Sequence, residues 1–193
     1  RKLQIVLALR PEVRWDRPAA RLRSLLVNGF LQRRMVEREW RPGLMHAVIF
    51  LGFMSLLLRK LQLIALGYDA GFALPPGFGG PFAAFKDGVE LAVTGAVLYA
   101  LCRRFVLRPA RLERNREAVL VLALILAIMA TDLAFDAFRF ARWSAEQPAL
   151  AHERAWAFAG AALATLVSGW PPDLLARGAT LSYWTQMVVV FSF

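Results

Sequence analysis

The chain has 193 residues, of which 58% are hydrophobic, and it carries 24 Lys and Arg residues against 14 Asp and Glu residues. This apolar composition with basic edges is typical of a helical membrane protein and argues against an ordinary soluble domain. The single cysteine, Cys102, excludes an internal disulfide and any multi-cysteine zinc or iron-sulfur site within these residues. We interpret it as a packed or interfacial thiol. Because the chain starts at Arg1 and stops inside an apolar run, we expect a longer protein at both ends.

Residues 1–43 are rich in arginine and are predicted to lie beside the membrane. Asp16 precedes Pro18 and is expected to cap a helix that begins there. Four apolar side chains then recur on one side at helical spacing, namely Leu22, Leu25, Leu26 and Phe30. The segment therefore predicts a basic amphipathic helix on an anionic lipid surface, and an interaction with nucleic acid is not expected.

Residues 44–193 are predicted to form an all-α, polytopic transmembrane helical bundle. Four apolar segments form its spans, at about 44–66, 86–106, 116–141 and 174–193. Residues 67–85 are rich in Gly and Pro and predict a loop, while residues of about 148–167 predict one shorter helix at the outer surface. Asn115 is expected to cap the third span.

The distribution of arginine predicts the orientation. The segments before residue 44 and after Cys102 are dense in Arg, whereas residues 67–85 contain no Lys or Arg. The positive-inside rule puts both basic segments in the cytoplasm. His46 then lies one turn inside the cytoplasmic surface and His152 lies on the outer side, so they cannot share one metal or haem iron.

His46 is the histidine that the pattern leaves open. It is either a core residue that donates to a backbone carbonyl or a ligand, because neutral imidazole is a common haem ligand. Gly43 and Gly52 lie near it on the same helix and remove side-chain bulk, which would let a flat ring lie against the helix. His152, beside Glu153, is interpreted as an interfacial polar residue.

Charged residues within the spans form a second candidate site. Arg59 and Lys60 on one predicted span reach the same depth as Asp132 and Asp136 on another, and the two aspartates share a helix face. Because an unpaired charge there is costly, we expect these four residues to form a structural charge cluster. Three further residues are candidates to join it: Lys86, Asp87 and Glu90. A proton path or a quinone headgroup site is the alternative.

Five strings carry a resemblance to a known family. They are QRRMVEREWRPGLMHAVIFLGF at 32–53, WDRPAARLRS at 15–24, RRFVLRP at 103–109, TDLAFD at 131–136 and YWTQMVVVFSF at 183–193. Together they resemble the membrane domain of membrane-bound iron-sulfur oxidoreductases that pass electrons from electron-transfer flavoprotein to menaquinone. That domain is similar to the gamma subunit of respiratory nitrate reductase, a five-span cytochrome b. The family's first span and its cysteine-rich domain are not among these residues.

The resemblance implies that His46 is an axial ligand of haem b iron and that the second ligand lies outside these residues. Relatives often carry a histidine after the YW pair where this chain has Gln186, so the resemblance does not extend to a second haem there. It further implies menaquinone or another quinone as substrate. The implied partners are a cytoplasmic iron-sulfur domain and electron-transfer flavoprotein, in the inner membrane of a bacterium, with further membrane subunits left open.

Three hypotheses follow. The first is a haem b electron-transfer module of a quinone-reducing oxidoreductase. The second is a redox-silent anchor or structural subunit of a larger membrane complex. The third is an ion or proton conduit through the charge cluster, ranked last because the sequence shows nothing polar that continues from the cluster to the cytoplasmic side.

Overall fold

A computed structural model describes residues 16–75, 77–109 and 115–192. These residues are helical and contain no strand, so the all-α prediction is confirmed. The described parts of residues 1–43 and of residues 44–193 form two compact units.

In the first unit, α1 spans Pro18–Ser24 and continues as a π-helical turn, Leu25–Phe30. The second helix, α2, spans Arg33–Arg38. The predicted cap by Asp16 is wrong, because the N-cap residue is Arg17 and no side chain bonds to the helix start. The Asp16 carboxylate instead accepts two charge-assisted hydrogen bonds from Arg21, at 2.7 and 3.2 Å.

The predicted apolar face of the first unit is not buried within this chain. Its four members are between 40% and 57% exposed, and they are Leu22, Leu25, Leu26 and Phe30. Large apolar side chains arranged in this way are suited to a lipid surface or a protein partner.

Among the residues that the structure describes, two long helices are apolar enough to cross a membrane. One runs from Trp40 to Tyr68 and consists of α3, Trp40–Ser55, and α4, Leu57–Tyr68. Its hydrogen bonding continues through Leu56, whose amide donates to Gly52 at 2.9 Å. The other is α6, which spans Arg116–Trp143.

The helix α5 spans Gly79–Cys102 and ends in a π-helical turn, Arg103–Leu107. It begins two turns before the predicted start at 86. Its first residues therefore lie within residues 67–85, which the Gly and Pro content predicts to be a loop. Pro81 lies in the first turn of this helix, where a proline gives up no intrahelical hydrogen bond. The Asn115 cap of α6 is confirmed, since its Oδ1 accepts from the Glu117 amide at 2.9 Å.

The predicted outer helix at about 148–167 is two helices, α7 at Pro148–Trp156 and α8 at Phe158–Val167. The backbone leaves the helical region at Ala157, with φ −78° and ψ 78°. The last described helix, α9, spans Pro172–Ser192 and begins two residues before the predicted boundary.

The helix α6 is central to the second unit, because it packs against α5, α8 and α9. Three apolar clusters follow one another along it. The first contains Leu56, Val93, Val97, Ile125, Ile128 and Met129. The second contains Leu63, Leu66, Phe135, Ala179 and Met187. The third contains Ala83, Phe140, Leu150, Ala157 and Ala164.

The outward faces of these helices are apolar. In the most apolar 18-residue stretch of Trp40–Tyr68, only 33% is buried, and in that of Arg116–Trp143 only 28% is buried. Examples of exposed large apolar side chains come from every long helix of the unit: Leu57, Leu61, Leu91, Leu98, Leu120, Leu181, Val188 and Phe191. The interior, in contrast, holds several charged residues.

Candidate functional site

The guanidinium of Arg59 lies at the centre of a buried charge cluster between α4 and α6. Its Nη2 lies 2.8 Å from Asp132 Oδ1 and 2.5 Å from Asp136 Oδ1, and its Nε donates to Asp132 Oδ1 at 2.9 Å. The two aspartates share one face of α6 because they lie one helical turn apart. All three side chains are fully buried.

Lys86 of α5 forms the second cationic centre of the cluster. Its Nζ donates to Asp87 Oδ1 at 2.7 Å and to Glu90 Oε2 at 3.0 Å. It also lies 3.0 Å from Asp136 Oδ2, an ion-pair contact that lacks the alignment of a hydrogen bond. Asp136 therefore links Lys86 to Arg59 and joins α4, α5 and α6.

Lys60 completes the set that the sequence grouped together. Its Nζ lies 3.3 Å from Asp132 Oδ2, and 18% of its side chain is exposed. The structure thus brings Arg59, Lys60, Asp132 and Asp136 into contact. The three candidates from α5 join them, as described above for Lys86.

Three members of the cluster were missed by sequence reasoning. Arg59 Nη1 donates to Gln62 Oε1 at 2.8 Å, and Gln62 Nε2 donates to Glu153 Oε1 at 3.2 Å. Arg139 Nη1 lies 3.4 Å from Glu153 Oε2. The helical spacing carried a signal for two of them, because Gln62 and Arg139 each follow a cluster residue by three positions. Glu153 lies on a short amphipathic helix and gave no such signal.

Asp87 connects the cluster to the start of α8. Its Oδ2 accepts from the backbone amides of Ala159 and Gly160, at 2.6 and 3.0 Å. The first amides of a helix have no intrahelical partner and favour a negative charge. The carboxylate therefore stabilises the helix that begins after the break at Ala157.

This arrangement can hold helices together and can hold or exchange a proton. Its members supply carboxylates and cations that are shielded from water, and such pairs are costly to break. No group of three or more metal-ligating side chains occurs within the described ranges. The cluster therefore offers no metal centre among the residues that the structure describes.

His46 lies on α3, and its side chain is exposed. An axial bond to a haem iron would therefore not require the helices of this chain to move apart. His152 is also exposed and contacts Trp156 edge-on, with ring centroids 6.5 Å apart. His46 and His152 lie on different helices, α3 and α7, and His152 directly precedes Glu153, a member of the charge cluster.

The two glycines near His46 make close helix contacts. A Cβ atom on Gly43 would meet the backbone of Met35 and Val36 in the first unit. A Cβ atom on Gly52 would meet the Val93 side chain of α5. These contacts explain both glycines by helix packing, and a role for them in haem packing stays a prediction.

A cavity of about 330 Å³ opens at the Tyr68 end of α4. Its lining includes four aromatic residues, Phe135, Trp143, Tyr183 and Trp184, together with the buried Arg139. Of the α4 residues that line the cavity, Leu66 is the closest in sequence to His46. The two are 20 residues apart, which is about 30 Å along the helix at about 1.5 Å per residue. The cavity and His46 therefore lie at opposite ends of this helix.

Over 114 residues the chain is 32% identical to the probable iron-sulfur-binding oxidoreductase FadF of Bacillus subtilis strain 168. The chain is similar to part of an oxidoreductase. The match includes 58% of this chain but only 16% of FadF, so the chain spans far less than two thirds of that relative. No protein-family profile matches the chain. No solved structure matches it either.

Proposed function

We propose that this chain is the membrane-embedded part of an electron-transfer oxidoreductase. In this proposal the chain is a polytopic bundle of the nitrate reductase gamma type in the inner membrane of a bacterium. Its basic segments face the cytoplasm. It passes electrons from a cytoplasmic iron-sulfur or flavoprotein donor to a quinone in the membrane.

The observation that carries the membrane part of the proposal is the distribution of polarity. Charged side chains such as Arg59, Lys86 and Asp136 are buried inside the bundle, while only 33% and 28% of the residues are buried in the most apolar stretches of the two long apolar helices. In water this arrangement would expose apolar surface and bury charge, and both are unfavourable. In a bilayer the apolar surface meets lipid, and the charges pair inside.

The electron-transfer part is supported by the similarity to FadF, whose name describes a probable iron-sulfur-binding oxidoreductase. The matched share of FadF is small, so its activity and partners enter here only as a proposal. Cys102 is the single cysteine of these residues. An iron-sulfur cluster would therefore belong to another part of the protein or to a partner.

Haem b is the proposed cofactor, with His46 as one axial ligand. The exposed imidazole fits this role, because its ring lies at the bundle surface where a second ligand from outside the described residues can approach. A bound haem would supply one-electron chemistry. The protein would supply a nitrogen ligand, a fixed position on α3 and an apolar wall of low dielectric.

The proposed partners follow from this arrangement. A cytoplasmic iron-sulfur domain and electron-transfer flavoprotein would donate electrons at the end of α3 that carries His46. Menaquinone or another quinone would reach the protein from the bilayer. The alternative function is a redox-silent anchor that keeps the fold without a cofactor.

A reduced-minus-oxidised absorption spectrum of the intact protein, purified from membranes, tests the haem assignment. We expect a b-type signal that is lost in His46→Ala, because removal of an axial imidazole removes the iron-protein bond. His152→Ala is the matched control, since it also removes an exposed histidine, and it should keep the full signal. Absence of a b-type signal, or its survival in His46→Ala, would favour the redox-silent anchor.

A further inference from the structure

The buried charge cluster contains one more carboxyl group than cations. Among the described residues the cations are Arg59, Lys60, Lys86 and Arg139, and the carboxyl groups are Asp87, Glu90, Asp132, Asp136 and Glu153. All of them are at least nine-tenths buried except Lys60, whose side chain is 18% exposed. An uncompensated charge in such a place is so unfavourable that the group becomes neutral instead.

Two of the five carboxyl groups are held by strong cationic contacts. Asp132 has contacts from Arg59 at 2.8 and 2.9 Å and from Lys60 at 3.3 Å. Asp136 lies 2.5 Å from Arg59 and 3.0 Å from Lys86. Both are therefore best described as anions.

Two more carboxyl groups have donors at both oxygens. Asp87 accepts from Lys86 through one oxygen and from two backbone amides at the start of α8 through the other. Glu153 accepts from Gln62 through Oε1 and from Arg139 through Oε2. Each of these groups is supplied with donors suited to a carboxylate, which can only accept hydrogen bonds.

Glu90 is the least well supplied of the five carboxyl groups. Asp136 Oδ2 also lacks a hydrogen bond from the described residues, but it lies 3.0 Å from the Lys86 ammonium. Glu90 Oε2 shares Lys86 with two aspartates, and Glu90 Oε1 is buried without a hydrogen-bond partner within the part of the chain that the structure describes. Thr94 follows Glu90 by one helical turn on the same face of α5, and its Oγ1 is also buried without a partner there. A protonated carboxyl group can donate where a carboxylate cannot.

Gln186 of α9 adds polar atoms at a similar level of the bundle. Both its amide nitrogen and its amide oxygen are buried and lack hydrogen-bond partners among the described residues. Tyr183 before it packs near Phe135, and Val190 after it packs against the cluster that contains Met129. Gln186 therefore lies near the level at which the first of the two aspartates of α6 enters the cluster.

We propose that Glu90 is the proton-binding residue of the cluster, and that Glu90, Thr94 and Gln186 form a buried polar site that takes a proton or water. One proton taken up from solvent converts the Glu90 carboxylate to the neutral acid and balances the charge of the cluster. The polar site formed by these three residues extends beyond the charged residues, towards the first apolar cluster. This inference does not depend on haem binding.

In the part of the chain that the structure describes, the charged groups of the cluster that contains Glu90 come from four helices. They are Arg59 and Lys60 of α4, Lys86 and Asp87 of α5, Asp132, Asp136 and Arg139 of α6, and Glu153 of α7. Among the described residues, α8 contributes the backbone amides of Ala159 and Gly160 to the cluster, and Gln186 is the polar residue that α9 buries near this level.

Infrared spectroscopy of the intact protein in lipid vesicles tests the proposal. A protonated buried carboxyl group gives a C=O stretching band that is separate from carboxylate bands and shifts in heavy water. At neutral pH we expect one such band in the unmodified protein and its complete loss in Glu90→Gln. Glu153→Gln is the matched control, because it removes the other buried glutamate of the cluster, and it should keep the band.

Protein yield and thermal stability give a second measurement. Gln has the shape and the neutral charge of protonated Glu, so Glu90→Gln should assemble and melt like the unmodified protein. Three results would overturn the proposal: a band that survives Glu90→Gln, a band that disappears in Glu153→Gln instead, or a Glu90→Gln protein that fails to fold.

Discussion

The helix from Trp40 to Tyr68 is held in two different ways along its length. In α3, Gly52 brings the backbone against Val93, and the neighbouring contacts are apolar. In α4, Arg59 is fully buried and binds two aspartates of α6. The α3 half is therefore held by close apolar packing, and the α4 half is held by buried ion pairs. Removal of one partner of a buried ion pair is costly, so α4 is expected to tolerate little change at Arg59.

The largest effect on stability is expected at Arg59. Arg59→Gln leaves two buried aspartates without their main cation, and loss of one partner of a buried ion pair costs about 3–5 kcal/mol. Arg33→Gln is the matched control, because Arg33 pairs with Glu37 in an exposed position and the expected loss is below about 1 kcal/mol. Unfolding in mixed detergent micelles measures both. Equal losses would contradict the central role of the buried pair.

A smaller effect is expected at Gly52, where shape is tested instead of charge. Gly52→Ala forces its new methyl group against Val93, and overpacking of this kind costs about 1–3 kcal/mol. Gly95→Ala on α5 is the control, since a Cβ atom there meets nothing within 4 Å. That variant should be neutral or should gain up to about 1 kcal/mol of helix propensity. The same unfolding assay decides, and a neutral Gly52→Ala would contradict close packing of α3 on α5.

The smallest effect on stability is expected at His46. Because its side chain is exposed, His46→Ala should change the free energy of unfolding of haem-free protein by less than about 0.5 kcal/mol. The same variant is expected to lose the haem signal entirely, so stability and cofactor binding should separate at this position. A large loss of stability without haem would instead identify His46 as a core residue.

Much of the cluster could be predicted from sequence because charge in an apolar helix has few favourable solutions. Asp132 and Asp136 lie one turn apart, and equal depth on another helix selected Arg59 and Lys60 as partners. The connection of Gln62 to Glu153 could not be predicted, because it joins residues 91 positions apart through a helix of unremarkable pattern. Long-range neighbours of this kind depend on the packing of α7, which local periodicity does not encode.

The presence of the helices was likewise easier to predict than the residues at which they begin, break and end. Asn115 caps α6 as expected, because a side chain that is close in sequence decides that contact. The break at Ala157 has no comparable local signal, since neither glycine nor proline occupies the position. The helix after the break is bound by a residue distant in sequence, because Asp87 of α5 accepts hydrogen bonds from the amides of Ala159 and Gly160 in α8. The early start of α5 was hidden by two glycines and a proline that are compatible with a first helical turn.

The backbone bonds of Asp87 also affect Lys86. Two backbone amides of α8 donate to one oxygen of Asp87, so this carboxylate keeps two hydrogen bonds even when its bond to the Lys86 ammonium changes. Lys86 lies 3.0 Å from both Glu90 and Asp136. If Glu90 is neutral, as proposed, the Lys86 ammonium keeps Asp87 and Asp136 as its anionic partners, and the junction between α7 and α8 stays bound to Asp87.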